Sequence, residues 1–186
     1  MSEKYTLIID TSNANIIVAV VSDIHITKSI TNIPRGSSER IIGLVDGILK
    51  KAKITLQDVS VICCVTGPGS FTGIRVGVTV TKAFAEIINA KILPVTSFEV
   101  LTYKSAIGGA VAAVYSNGNF YYNTKNGFGT LESLLGENVV LHNKTKYFNN
   151  LVEIAKTKTE YVDANTLAPF YVKLSQAEEN AAKGSK

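Results

Sequence analysis

Gly67-Pro68-Gly69-Ser70-Phe71-Thr72-Gly73-Ile74-Arg75-Val76-Gly77 joins an apolar run, Val59 to Thr66, that reads as a buried strand, to a periodic segment that reads as a helix from Gly73 to about Asn89. A glycine inside a helix costs roughly 1 kcal/mol relative to alanine. Gly73 and Gly77, one turn apart, therefore imply that something approaches this helix closely. A second segment repeats the device. After the turn residues Pro34, Arg35 and Gly36, the stretch from Ser37 to Lys53 reads as a helix with Ile41, Leu44, Val45, Ile48 and Ala52 on one face, and it carries Gly43 and Gly47. Glycines four apart on both helices predict tight packing between them.

On the helix from Gly73, Arg75, Thr79, Lys82 and Glu86 recur at three- and four-residue spacing and form one narrow polar stripe. The remaining surface is apolar or small: Ile74 and Val78 on one side, Val76, Val80, Phe84 and Ile87 on another, and Gly77, Thr81 and Ala85 between. A single sheet contact does not cover so much surface. The surplus is expected to meet an intermolecular partner, the competing reading being that the neighbouring helix of the same chain uses it up.

The chain has 186 residues, of which 46% are hydrophobic, enough to bury a core for one domain or two small related lobes. The apolar run after Met1-Ser2-Glu3-Lys4 is too short for a signal peptide, and Ile16 to Val21 and Ala110 to Val114 are too short to span a bilayer, so a soluble, cytoplasmic protein with no membrane contact is expected. The two cysteines, Cys63 and Cys64, are adjacent on a predicted strand and point to opposite faces, which excludes a disulfide between them. Net charge is +4 and the isoelectric point is near 9.0, yet no basic run is interleaved with aromatics. Lys144, Lys146, Lys156 and Lys158 read as a solvated surface rather than a nucleic-acid module.

Strands are expected at Tyr5 to Asp10, Asn15 to Val21 and His25 to Asn32, followed by the first glycine helix, a strand at Val59 to Thr66, the second glycine helix, a strand at Lys91 to Val95 and a helix from Ser97 to about Ala106. The order βββαβαβα predicts an α/β fold, a mixed sheet with helices on both faces and crossover connections. This is the layout of a ribonuclease-H-like lobe, assigned to residues 1–106. From Gly108 the plan begins again with Ala110 to Tyr115, a turn at Asn117-Gly118 and Phe120 to Asn123, then Val139 to Leu141 and a helix from about Lys146 to Lys156. A shortened second lobe over residues 107–174 is expected, with a flexible tail over residues 175–186.

The chemical inventory is thin. The Gly67 run departs from a dinucleotide fingerprint, which needs glycine at Thr72, and from a phosphate-binding P-loop, which needs Lys then Ser or Thr where Ile74 and Arg75 stand. His25 and His142 form no metal-ligand pair, and Ser70 lies in no nucleophile elbow. Asp10-Thr11-Ser12-Asn13 occupies the first hairpin, where actin-like and hexokinase-like ATPases keep an acidic residue and a phosphate-gripping turn, although such residues are also ordinary turn formers. The corresponding place in the second lobe reads Val114-Tyr115-Ser116-Asn117 and offers no carboxylate.

Taken together, the Gly67 to Gly77 run, Ile8-Ile9-Asp10-Thr11-Ser12, Ser38-Glu39-Arg40 and, more loosely, Pro169-Phe170-Tyr171-Val172-Lys173 resemble the TsaB family, also called YeaZ. The match is firm over residues 5 to 106. Ser37 stands where the family usually has His, Val114-Tyr115-Ser116 where it often shows an Asp-Ala-Arg turn, and Lys173 where it commonly has Arg.

The resemblance implies an actin-like pseudoenzyme with no cofactor and no metal of its own. It implies pairing with a catalytic subunit, TsaD, that holds the metal and the activated intermediate, with help from a small ATPase, TsaE. The assembly installs threonylcarbamoyl on an adenosine beside the anticodon of tRNA. Partner contacts are then expected from Ser38, Glu39, Ile42, Gly43, Val45, Gly47 and Leu49 of the first glycine helix, and from Gly73, Arg75, Val76, Gly77 and Val80 of the second. Asp10, Thr11 and Ser12 become a vestigial phosphate turn. Alone, the chain is expected to form a weak homodimer. The alternatives are an active actin-like phosphotransferase using Asp10 and Thr11, and a peptidase, for which no nucleophile or metal site stands out.

Overall fold

The computed structural model describes residues 4–32, 40–105, 111–116, 119–124, 127–129, 139–140 and 144–172. Continuous apolar runs build β1 (Tyr5–Asp10) and β2 (Asn15–Val21), buried along most of their length, and the more polar β3 (Ile26–Asn32) follows at the edge; the three pair antiparallel in sequence. After α1 (Arg40–Ala52) and a 3₁₀ turn (Leu56–Asp58), β4 (Val59–Gly67) lies parallel to β1, and β5 (Lys91–Thr96) parallel to β4. The sheet order is β3-β2-β1-β4-β5, the ribonuclease-H-like arrangement that the element order predicts.

The parallel strands are apolar on both faces because both faces are covered. On one side Leu7, Ile9, Val18, Ile62, Cys64 and Ile92 form a core with Ile41, Val45, Ile48 and Leu49 of α1, and with Ile74, Val78 and Ala85 of α2 (Phe71–Ile88). On the other side Ile8, Ala19, Cys63, Val65 and Leu93 pack under Phe98, Val100 and Leu101 of α3 (Ser97–Thr102), and under Tyr147, Phe148, Leu151 and Val152 of α4 (Lys144–Thr157). Cys63 and Cys64 thus enter different cores. Burial pushes both thiols up, that of Cys64 to about 12.

A second sheet lies beyond α3. Strands β6 (Val111–Ser116), β7 (Asn119–Thr124), β8 (Gly127–Gly129) and β9 (Val139–Val140) form a sheet in the order β8-β7-β6-β9, with β6 antiparallel to β7 and parallel to β9. This repeats the order β3-β2-β1-β4 of the first sheet. Strand β8 was not expected, because three residues beginning and ending in glycine carry no apolar alternation. Helix α3 ends at Thr102 rather than near Ala106, and Lys104 adopts a left-handed φ of 46° just beyond it. The expected turns at Pro34 to Gly36 and Asn117-Gly118, the helix start at Ser37, and the tail at residues 175–186 lie outside the described residues.

Residues 161–172 run back along α2. Val162 bridges Ile92 on the edge strand β5, Ala164 and Leu167 are buried in the α1/α2 core, and the Phe170 N–H donates to the carbonyl of Thr66 at 2.8 Å. The flank of α2 beside β5 is covered by the chain itself.

Candidate functional site: a closed turn beside two glycine helices

The turn after β1 and the entry to α2 are built into each other. Asp10, Thr11 and Ser12 are 0%, 3% and 1% exposed. One carboxylate oxygen of Asp10 accepts both the N–H of Ser12 (2.8 Å) and its hydroxyl (2.7 Å), an Asx-type turn that uses the donors a phosphate would need. The Ser12 carbonyl accepts from the Ser70 N–H at 2.6 Å, and the Thr11 hydroxyl donates to the Gly73 carbonyl at 2.6 Å. From the opposite side, Ser97 donates to the Ser12 hydroxyl at 3.3 Å. The hydroxyl of Tyr147 is buried against the same cluster, and burial followed by the negative charge of Asp10 raises its ionisation well above the ordinary tyrosine range.

Glycines make this closure possible. A Cβ on Gly69 would strike the Ser12 carbonyl, one on Gly73 the Thr11 carbonyl, and one on Gly77 the Thr11 hydroxyl. Gly67 has φ +118°, and a Cβ there would lie 2.7 Å from the Phe170 carbonyl. Helix α2 begins at Phe71, two residues before the expected start, because Ser70 caps it by accepting from the Gly73 N–H.

Gly73 and Gly77 therefore meet the Thr11 turn of their own chain, which corrects the expectation that they open α2 to another helix. Gly43 and Gly47 differ. They are exposed on α1, and among the described residues a Cβ at either would meet nothing within 4 Å. Ile42 beside them is 59% exposed. Val45 and Leu49, expected at the partner surface, are 2% and 7% exposed and belong to the chain's own core, since they lie on the sheet-facing side of α1. Val76 and Val80 are half-buried against that core. Ser38 and Glu39 lie outside the described residues.

Arg75 is exposed yet held. Its guanidinium lies 3.9 Å from the centre of the Phe71 ring, its Nε donates to the Tyr171 hydroxyl at 2.8 Å, and the Phe71 and Tyr171 rings stack at 5.1 Å. Ser97, Tyr147 and Tyr171 were not singled out from the sequence. Tyr147 sits among apolar neighbours of α4, and the only sign of Tyr171 was the loose Pro169 to Lys173 match. Among the described residues, no group of three or more His, Cys, Asp or Glu is placed to hold a metal ion, and no helix is long and apolar enough to cross a membrane.

These features define an actin-like, ribonuclease-H-like α/β protein in which the turn after β1 is packed against the entry to α2. A family model described as TsaD, tRNA N6-adenosine threonylcarbamoyltransferase, matches residues 28–139. A protein named tRNA threonylcarbamoyladenosine biosynthesis protein TsaB from Bacillus subtilis (strain 168) is 34% identical over 143 residues, 73% of this chain and 62% of that protein. Another of the same name, from Buchnera aphidicola subsp. Schizaphis graminum (strain Sg), is 29% identical over 99 residues, 53% of this chain and 47% of its own length. The solved structure of YeaZ from Pseudomonas aeruginosa has the same fold, with TM-score 0.68 at 20% identity, covering 92% of this chain and 100% of that one. The chain belongs to this family, in its TsaB/YeaZ branch. It spans less than two thirds of the length of the curated relatives it matches.

Proposed function

We propose that this chain takes part in threonylcarbamoyladenosine synthesis on tRNA as a non-catalytic scaffold that docks on a TsaD-type subunit. The names of its relatives support the pathway. The observation that carries the non-catalytic reading is the closed turn: Asp10, Thr11 and Ser12 are buried, and the Ser12 N–H and the Thr11 and Ser12 hydroxyls are committed within the chain. A nucleotide phosphate reaching Asp10 would have to displace the entry to α2.

Docking uses α1 and the free side of α2. Ile42, Gly43 and Gly47 form an uncovered strip where another backbone can approach α1 closely, and Ile87 on α2 is 70% exposed. A TsaD-type chain built on the same lobe would present equivalent helices, so the two pair about a pseudo-two-fold axis. A TsaE-type ATPase and tRNA join through that assembly, and the free chain covers the same strip by weak self-association. Light scattering after size exclusion, on the chain alone and mixed with the TsaD-type subunit of its own organism, tests this. A one-to-one complex is the expected outcome; two separate peaks at micromolar concentrations would overturn the docking assignment.

A further inference from the structure

Helix α2 has a weak beginning. Gly73 and Gly77 fall in its first two turns, where each lowers helix stability by roughly 1 kcal/mol relative to alanine. From inside, the Ser70 cap and the Thr11 hydroxyl on the Gly73 carbonyl pin this end. From outside, among the described residues, the chain's own returning segment reaches it. That segment is anchored at Leu167, 2% exposed, and by the Phe170 N–H on Thr66, and it then places Tyr171 over Phe71 and Arg75. The Arg75 guanidinium closes a three-part clasp, stacked on the Phe71 ring and donating to the Tyr171 hydroxyl, a charge-assisted hydrogen bond beside a cation–π contact.

We infer that Tyr171 is a positioning residue for the start of α2, one of the two helices that docking uses: the returning segment, through the Tyr171–Arg75–Phe71 clasp, holds the glycine-weakened first turns of α2 in helical form before docking. Arg75 then acts within the chain rather than as a free guanidinium offered to another protein. This rests on the docking reading above for its consequence, though not for the clasp itself. The clasp is separable from the fold because its residues are at the surface. Tyr171 is 39% exposed, whereas Leu167 behind it is buried and Phe170 partly so. Losing the clasp loosens the first turns of α2 and leaves the sheet intact.

The test compares the wild-type chain with Tyr171→Ala and Tyr171→Phe by amide hydrogen exchange, and by calorimetric titration with the TsaD-type subunit. Tyr171→Ala is expected to speed exchange of the amides of residues 74–77 by about tenfold, with strands β1 and β4 unchanged, as for a local opening. It is also expected to weaken binding by about tenfold, because the ordering is then completed on docking. Tyr171→Phe keeps the stacked ring and is expected to fall between. Unchanged exchange at 74–77, or an equal acceleration throughout β1 and β4, overturns the clasp. Wild-type binding with no loss in Tyr171→Ala overturns its role in docking. Absence of binding by the wild type defeats the docking reading instead and leaves the clasp to be decided by exchange.

Discussion

Thr11 fills the space that the missing side chain of Gly77 leaves on α2, while its hydroxyl donates to the Gly73 carbonyl at 2.6 Å. One threonine thus accounts for two glycines, and the hairpin turn and the helix are parts of a single packed unit.

Gly77→Ala is accordingly expected to destabilise the chain by about 1–3 kcal/mol, the usual cost of overpacking, against the small gain expected from helix propensity alone. In Thr11→Ala the nearest obstructing atom is gone, and the next, the residue 11 Cβ, lies 3.5 Å from the new methyl. The double variant should recover much of the loss, with a coupling on the order of 1–2 kcal/mol in urea unfolding. Strict additivity of the two changes would show that the contact does not explain the glycine.

The glycines of α1 are expected to behave oppositely. No described residue stands within 4 Å of a Cβ at Gly43 or Gly47, so Gly43→Ala and Gly47→Ala should each stabilise the isolated chain by about 0.5–1 kcal/mol. Gly47→Leu should leave the isolated chain folded and block the complex with a TsaD-type subunit. Stability measured by thermal melting and binding by calorimetry would then move in different directions. A Gly47→Leu chain that binds normally removes α1 from the interface.

Much of this was legible because burial leaves periodic marks. The five strands of the first sheet, the two glycine helices and the apolar face of α1 all follow from spacing in Ile41, Val45 and Ile48 or in Val59 to Thr66. What spacing does not carry is which neighbour a small residue serves. Gly43 and Gly77 look alike in sequence, yet one is open and the other is packed on Thr11. Spacing puts Val45 on the apolar face of α1 with Ile41 and Ile48; the family resemblance assigns Val45 and Leu49 to the partner surface, and burial in the chain's own core overrides it. The returning segment that holds Arg75 has almost no regular structure, so its path along α2 is visible only in three dimensions.

Asp10 is expected to matter for folding rather than for chemistry. Its carboxylate satisfies a buried N–H and a buried hydroxyl of Ser12, so Asp10→Ala should cost about 1–3 kcal/mol by leaving them unpaired. Asp10→Asn keeps an oxygen acceptor and should cost less. The pure chain should hydrolyse magnesium nucleotides no faster than buffer, with or without either change. Hydrolysis that disappears in a folded Asp10→Asn chain would restore the phosphotransferase reading.

The last prediction concerns acid. Glu99 closes the capping box of α3, accepting from the Thr96 N–H at 2.6 Å, and its other oxygen takes Lys158 Nζ at 2.6 Å. Partial burial pushes its carboxyl up, but the bonds from Lys158 and Thr96, with the lysine charge, outweigh that and hold it below the ordinary value of 4.5. A carboxyl that is more acidic folded than unfolded stabilises the chain above its unfolded pKa and loses that contribution as pH falls through the folded one. Glu99 should therefore support the fold fully at neutral pH and progressively less from about pH 4.5 downward. Its share is modest, because the pair is partly exposed and screened by salt. Glu99→Gln should lower the urea midpoint more at pH 7 than at pH 3, because the wild-type contribution shrinks as pH falls below about 4.5. An equal loss at both values would mean that Glu99 acts through packing or neutral hydrogen bonding, and that its charge contributes nothing to the junction of α3 with the end of α4.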